Sequence, residues 1–130
     1  MNFARWVYFT AGIYGILLLT PMYFTEQQVS RDFPPAITHP EHYYGFIGVT
    51  LAWQVLFLIL SRDPVRYRPM MIPSILEKIS YVVALLVLYF QGRVAGMIFG
   101  FGMIDAVFAA FFVAAYVKTG KEATTQTSGA

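Results

Sequence analysis

Four long apolar runs constrain this chain more than any other feature it has. They extend from about Phe3 to Phe24, Tyr43 to Leu60, Ile75 to Phe90 and Val94 to Val117, and a helix needs roughly 20 apolar residues to cross hydrocarbon. The third run is short and is expected to extend through Met70, Met71 and Ile72. All four are apolar on every side rather than striped, as in helices surrounded by lipid. Composition agrees, because 58% of the 130 residues are hydrophobic and 12% are charged, against about 25% charged in soluble domains. The expected fold is therefore all-α, an integral membrane four-helix bundle. Residues 1–117 form one domain, with helices at about 3–24, 43–60, 74–90 and 94–117. The polar residues 118–130, rich in Thr and Ser, are expected to be a disordered cytoplasmic tail. The first run is read as a retained helix rather than a secretory signal, since Thr20, Pro21 and Met22 lead into Tyr23 with no small-residue cleavage site.

The basic residues are unevenly shared between the ends of these helices. Arg5, Arg62, Arg66, Arg68, Lys78, Lys118 and Lys121 fall on one side, and only Arg31 and Arg93 on the other. The positive-inside rule then places both termini and the Ser61 to Pro73 loop in the cytoplasm, with residues 25–41 outside. Loop chemistry refines the boundaries. Ser74 with Glu77 has the spacing of a capping box at the start of the third helix, and Thr25 with Gln28 repeats it for a brief surface helix that Pro34 and Pro35 end. Pro40 and Glu41 suit the first turn of the second helix, and Gly92 suits the turn between the third and fourth.

Several kinds of chemistry are excluded at once. With no cysteine there is no disulfide, no cysteine zinc site and no thiol redox mechanism. A net charge of +2 gives no basic patch for nucleic acid. There is no glycine-rich phosphate loop, no nucleophile motif and no paired intramembrane histidines for haem, so no cofactor is expected. An enzyme fits only if a few scattered groups suffice.

Asp105 is the residue that most needs explaining. It lies about eleven residues into the fourth run, roughly 16 Å at 1.5 Å per residue, near the middle of a bilayer. A central Asp costs roughly 2.5 to 3.5 kcal/mol on insertion scales, so a neutral acid is expected unless a cation accompanies it. Gln54, eleven residues past Tyr43 on a helix running the same way, is the expected hydrogen-bond partner. At 100° per residue Ile98, Phe101, Gly102, Phe108, Ala109 and Phe112 gather around Asp105. Asp105, Gln54, Trp53, Tyr14, Phe101 and Phe108 form the candidate ligand or proton site; a polar pair that only joins helices is the simpler reading. Gly96, Gly100, Ala110 and Ala114 mark the opposite face, suited to ordinary helix packing or a homodimer contact. His39, Glu41 and His42 are ligand-type residues, but three of them crowded at one helix start are not expected to converge, so no metal is assigned. Arg62, Arg66 and Arg68 either set topology or contact an anionic lipid or partner protein.

From Tyr43-Tyr44-Gly45-Phe46 through Ala52-Trp53-Gln54, the Arg62-Asp63-Pro64 loop, Gly92-Arg93 and Asp105, the layout resembles small bacterial four-helix proteins described as DoxX-like. It covers about two thirds of the chain. The resemblance implies a bacterial inner-membrane protein and allows a quinone ligand or a larger membrane complex, because some such proteins are membrane subunits of quinone-linked oxidation. It carries over Gly92, Arg93 and Asp105 as shared features. The leading functional expectation is a non-enzymatic membrane protein that binds a lipophilic molecule or partner subunit through the bundle interior. The alternatives are a proton-coupled exporter of lipophilic cations using Asp105, and an accessory subunit of a quinone-linked oxidoreductase.

Overall fold

The computed structural model describes residues 2–129, with no strand among them. Helix α1 spans Asn2–Leu19 and tightens into a 3-10 turn at Thr20–Phe24, where Pro21 has no amide to continue the α ladder. A short α2 (Glu26–Asp32) ends ahead of Pro34 and Pro35. Helix α3 spans Pro40–Arg62, with Pro40 and Glu41 in its first turn as expected. A 3-10 turn at Arg68–Met70 leads into α4 (Met71–Phe90), and α5 spans Gly96–Gly129. Four segments are long and apolar enough to cross a membrane: Asn2–Phe24, Pro40–Arg62, Arg68–Phe90 and Gly96–Lys121.

The ends of the helices separate what local rules decide from what they do not. Gly92 has φ +71°, its amide donates to the Tyr89 carbonyl (3.0 Å), and the Arg93 amide donates to the Leu88 carbonyl (2.9 Å). Those two bonds make a Schellman stop, which needs a left-handed residue at that position. Neither expected capping box forms. Helix α4 starts at Met71, so Ser74 is already inside it and donates to the Met70 carbonyl (2.7 Å), the usual outlet for a mid-helix hydroxyl. Thr25 precedes α2 without capping it and donates back to Pro21 O at 3.2 Å. The last helix also continues to Gly129, through the tail expected to lack structure.

Helix α1 is the hub. It packs against both α3 and α5, and α5 packs against α4, whereas α3 and α4 make no comparable approach. The starts of α1 and α4 and the later turns of α5 share one end with the α3–α4 connection. There Arg5 donates to the Arg62 carbonyl (3.2 Å), Arg68 donates twice to the Tyr116 carbonyl (3.0 and 2.9 Å), and the Lys118 ammonium lies 4.2 Å from the Phe3 ring centroid. This basic end holds the core. Tyr8, Phe57 and Phe112 fill it as one aromatic knot, with Tyr8 and Phe112 stacked at 4.2 Å and Phe57 edge-on to Phe112 at 5.1 Å. Ala4, Ala11, Leu60, Met71 and Ala115 close around them.

Candidate functional site

The aromatic knot is capped by charge. Lys78, on α4, is buried with its ammonium 5.5 Å from the Phe57 ring centroid and 5.8 Å from that of Phe108. It donates to Asp105 Oδ1 at 3.0 Å, and the neighbouring Glu77 Oε2 lies 3.8 Å from the same nitrogen. Asp105 is therefore partnered by Lys78 and not by Gln54, and the structure supplies the cation that the neutral-acid expectation lacked. Gln54 is buried in the same region, but its amide nitrogen donates to the Thr50 carbonyl one turn back (3.0 Å). That carbonyl can only accept, so the amide oxygen is turned the other way. It rests against Gly15, where any side chain would collide with it, and it has no hydrogen-bond partner.

Lys78 was missed because its place depends on where α4 begins. A start at Ser74 leaves Lys78 in the first turn beside the loop. A start at Met71 puts it seven residues in, about 10 Å along the axis, where a lysine needs a partner. Glu77 was missed for the same reason, having been assigned to the cap. The sequence signal was present in Met70, Met71 and Ile72, which are too apolar to lie idle in a loop.

Beyond this cluster the bundle is hollow. A cavity of about 410 Å³ opens where α3 and α4 fail to meet. Tyr14, Phe46, Tyr81, Phe101 and Ile98 are among its walls, with Thr50, Gln54, Glu77, Lys78 and Asp105 as its polar part. Val29 and Phe33, from α2 and the residue after it, lie over the far side. Tyr44 holds that segment through its hydroxyl, which donates to Glu26 Oε2 (2.8 Å), and Tyr43 holds the 3-10 turn ahead of it by donating to the Met22 carbonyl (2.7 Å). These two tyrosines are structural clamps as well as interfacial aromatics.

The remaining expected residues divide. Tyr14 and Phe101 line the cavity, and Phe108 sits beneath it with its ring 5.6 Å from that of Tyr14. Trp53 is not on the lining; it packs on the core beside Phe57 at 6.4 Å, one residue and so 100° away from the inward Gln54. Arg68 is committed to Tyr116, with its guanidinium 3.7 Å from the ring centroid, whereas Arg62 and Arg66 are exposed at the basic end. Gly96 and Gly100 face open space, with no described residue packed against either. Contrary to expectation, His39, Glu41 and His42 do converge. His39 precedes Pro40 and folds back over the first turn, so that the ligand atoms of all three lie within 4.8 Å of one another, with His39 Nδ1 3.0 Å from Glu41 Oε1. All three are exposed.

No family model matches the chain, and no curated protein or solved structure matches it. The fold alone defines the class. This is an all-helical multi-pass membrane protein of four spans, enclosing a cavity that ends on a buried ion pair.

Proposed function

We propose that the protein is a binding protein of the membrane that takes a lipophilic molecule into the cavity between α3 and α4. The observation that carries this reading is that the apolar cavity ends on the charged cluster of Glu77, Lys78 and Asp105. Its volume, about 410 Å³, falls in the range of small-molecule sites, about 300 to 1,000 Å³, which pair mostly apolar walls with a few convergent polar groups. A cluster needed only to join α4 to α5 would be served by packed side chains, without the space beside it.

The test is purification in lipid nanodiscs followed by mass spectrometry of co-purifying small molecules, wild type against Thr50→Phe. The phenyl group fills part of the cavity from α3, a helix that carries neither member of the ion pair. A species present with wild type and lost from the variant is the expected result; equal retention by both places the molecule elsewhere and removes the reading.

Proton-coupled export is the second reading, favoured by two carboxylates sharing one ammonium, an arrangement in which a proton and a cargo can exchange. The quinone-linked subunit reading draws on the DoxX-like resemblance alone. We further propose that the basic end is cytoplasmic in a bacterial inner membrane. Six basic residues remain at that end once Lys78 is placed inside the bundle: Arg5, Arg62, Arg66, Arg68, Lys118 and Lys121. A reporter fused after Ala130 or inserted near Arg66 is expected to stay cytoplasmic and one near Val29 to be exported; an exported C-terminal fusion reverses the orientation.

A further inference from the structure

The polar part of the cavity carries a surplus of negative charge. Lys78 is one cation facing two carboxylates, Asp105 at 3.0 Å and Glu77 at 3.8 Å. The second distance is too long for a hydrogen bond, and Glu77 Oε2 is buried with no partner. Gln54 Oε1 is buried and unpartnered as well, on a side chain 1% exposed that lines the same cavity. The remaining titratable groups on the lining are the phenols of Tyr14 and Tyr81; α3 contributes only Thr50 and Gln54 to the polar part.

Three kinds of occupant can be compared on this ground. Water donates to a free acceptor but does not offset the surplus negative charge. A proton on Glu77 offsets the charge and leaves the aromatic walls without a cation. A protonated amine does both, since it carries a positive charge and several N–H donors on one atom. An anionic head would place a third negative group around one ammonium, and a quinone carbonyl would leave the surplus negative charge in place. The aromatic walls point the same way, because Tyr14, Phe46, Tyr81 and Phe101 offer ring faces that attract a cation as well as surface for an apolar body.

We infer that the cavity selects amphiphiles bearing a protonated amine, with Glu77 as the charge partner of the ammonium. This rests on the proposal that the cavity binds a lipophilic molecule, and it names the class of that molecule. Asp105 keeps Lys78 in place, so Glu77 is the carboxylate left to discriminate.

The experiment uses the whole protein in phosphatidylcholine nanodiscs, a lipid with no N–H donor in its headgroup. Three probes of one shape are titrated: 2-(1-naphthyl)ethylamine, 2-(1-naphthyl)ethanol and 1-naphthylacetate. The amine is expected to bind at least tenfold more tightly than the alcohol, and the acetate more weakly than either. Glu77→Gln keeps the shape of the side chain and is expected to bring amine affinity down to that of the alcohol while leaving alcohol binding in place, which also shows that the variant is folded. Phe101→Ala, on the wall and away from the head, is expected to weaken amine and alcohol equally. Competition by phosphatidylethanolamine doped into the nanodiscs assigns the site to a lipid amine, and its failure to compete assigns it to a free one; either supports the inference. Equal binding of all three probes, or tightest binding of the acetate, overturns the amine class and leaves the cavity reading standing. Binding of none overturns both.

Discussion

The two halves of this bundle are built on opposite plans. At the basic end four helices close on Tyr8, Phe57 and Phe112, with small residues at Ala4, Ala11 and Ala115 letting the backbones approach. At the other end α3 and α4 stand apart, the lining includes half-open residues such as Phe101 (55% exposed), and a short surface helix held by the Tyr44 hydroxyl lies over the gap. Lys78 and Asp105 mark the boundary. Lipid is as apolar as the bundle interior, so helices gain little from burying apolar surface against one another and depend on close packing and polar contacts. One half is therefore free to be hollow if the other is solid and the seam is fixed by charge.

The comparison is broken most readily through the core. Phe112→Ala is expected to destabilise the fold by about 3 to 5 kcal/mol, the usual range for emptying a packed aromatic site, whereas Phe101→Ala is expected to cost less than about 1 kcal/mol because no packed volume is lost around it. Equal losses in a denaturation series of the two variants would mean that both halves are packed alike.

The seam comes next. Lys78→Met strands Asp105 and Glu77 together without a cation, and removing one partner of a buried ion pair costs about 3 to 5 kcal/mol. Asp105 is a quarter exposed on its side chain, so the lower end of that range is expected after allowance for screening. The Lys78→Met, Asp105→Leu double variant is expected to recover part of the loss, since only Glu77 is then left without a cation. A double variant as unstable as the single would show that the ion pair is not what joins α4 to α5.

A smaller effect is expected from Asp105→Asn. The amide oxygen still accepts from Lys78 while Glu77 becomes the only carboxylate at the ammonium, so stability should fall by about 1 to 2 kcal/mol, as for other weakened charged hydrogen bonds. A loss as large as that of Lys78→Met would mean that Glu77 does not face the ammonium as a second partner.

The smallest change is at Tyr8, whose ring is in the core and whose hydroxyl is buried without a partner. Tyr8→Phe removes an unsatisfied polar atom and keeps the ring stacked on Phe112, so melting is expected to be unchanged or slightly raised. A clear loss of stability would reveal a hydrogen bond to that hydroxyl and a wetter core than the packing implies.

Much of the architecture was legible in the residues, and the reasons are local. Hydropathy is a property of each segment by itself, so four spans could be read from four apolar runs before any helix was placed against another. The Gly92 stop and the Pro40 start were legible because each depends on one residue's backbone freedom or missing amide. The capping boxes were not, since a Ser or Thr at the right spacing caps only if the helix starts there, and at Ser74 it started earlier. The position of α5 gave the inward face around Asp105 correctly, as Ile98, Phe101 and Gly102 line the cavity and Phe112 lies in the core.

The residues taken one segment at a time establish that this chain is helical, has four segments long and apolar enough to cross a membrane, and carries an acid where lipid penalises one. Which groups meet that acid was decided by the tertiary structure alone. Partnership across helices depends on the rotation and axial register of two separate elements, and one turn more at the start of α4 carries Lys78 from the loop to Asp105. Matching Gln54 to Asp105 by depth fixed one coordinate and left rotation free; packing against Gly15 turned the amide to α1 and its own helix. The cavity is likewise a property of no single helix, because it exists where α3 and α4 do not approach, and only the packing of both around α1 and α5 makes that gap.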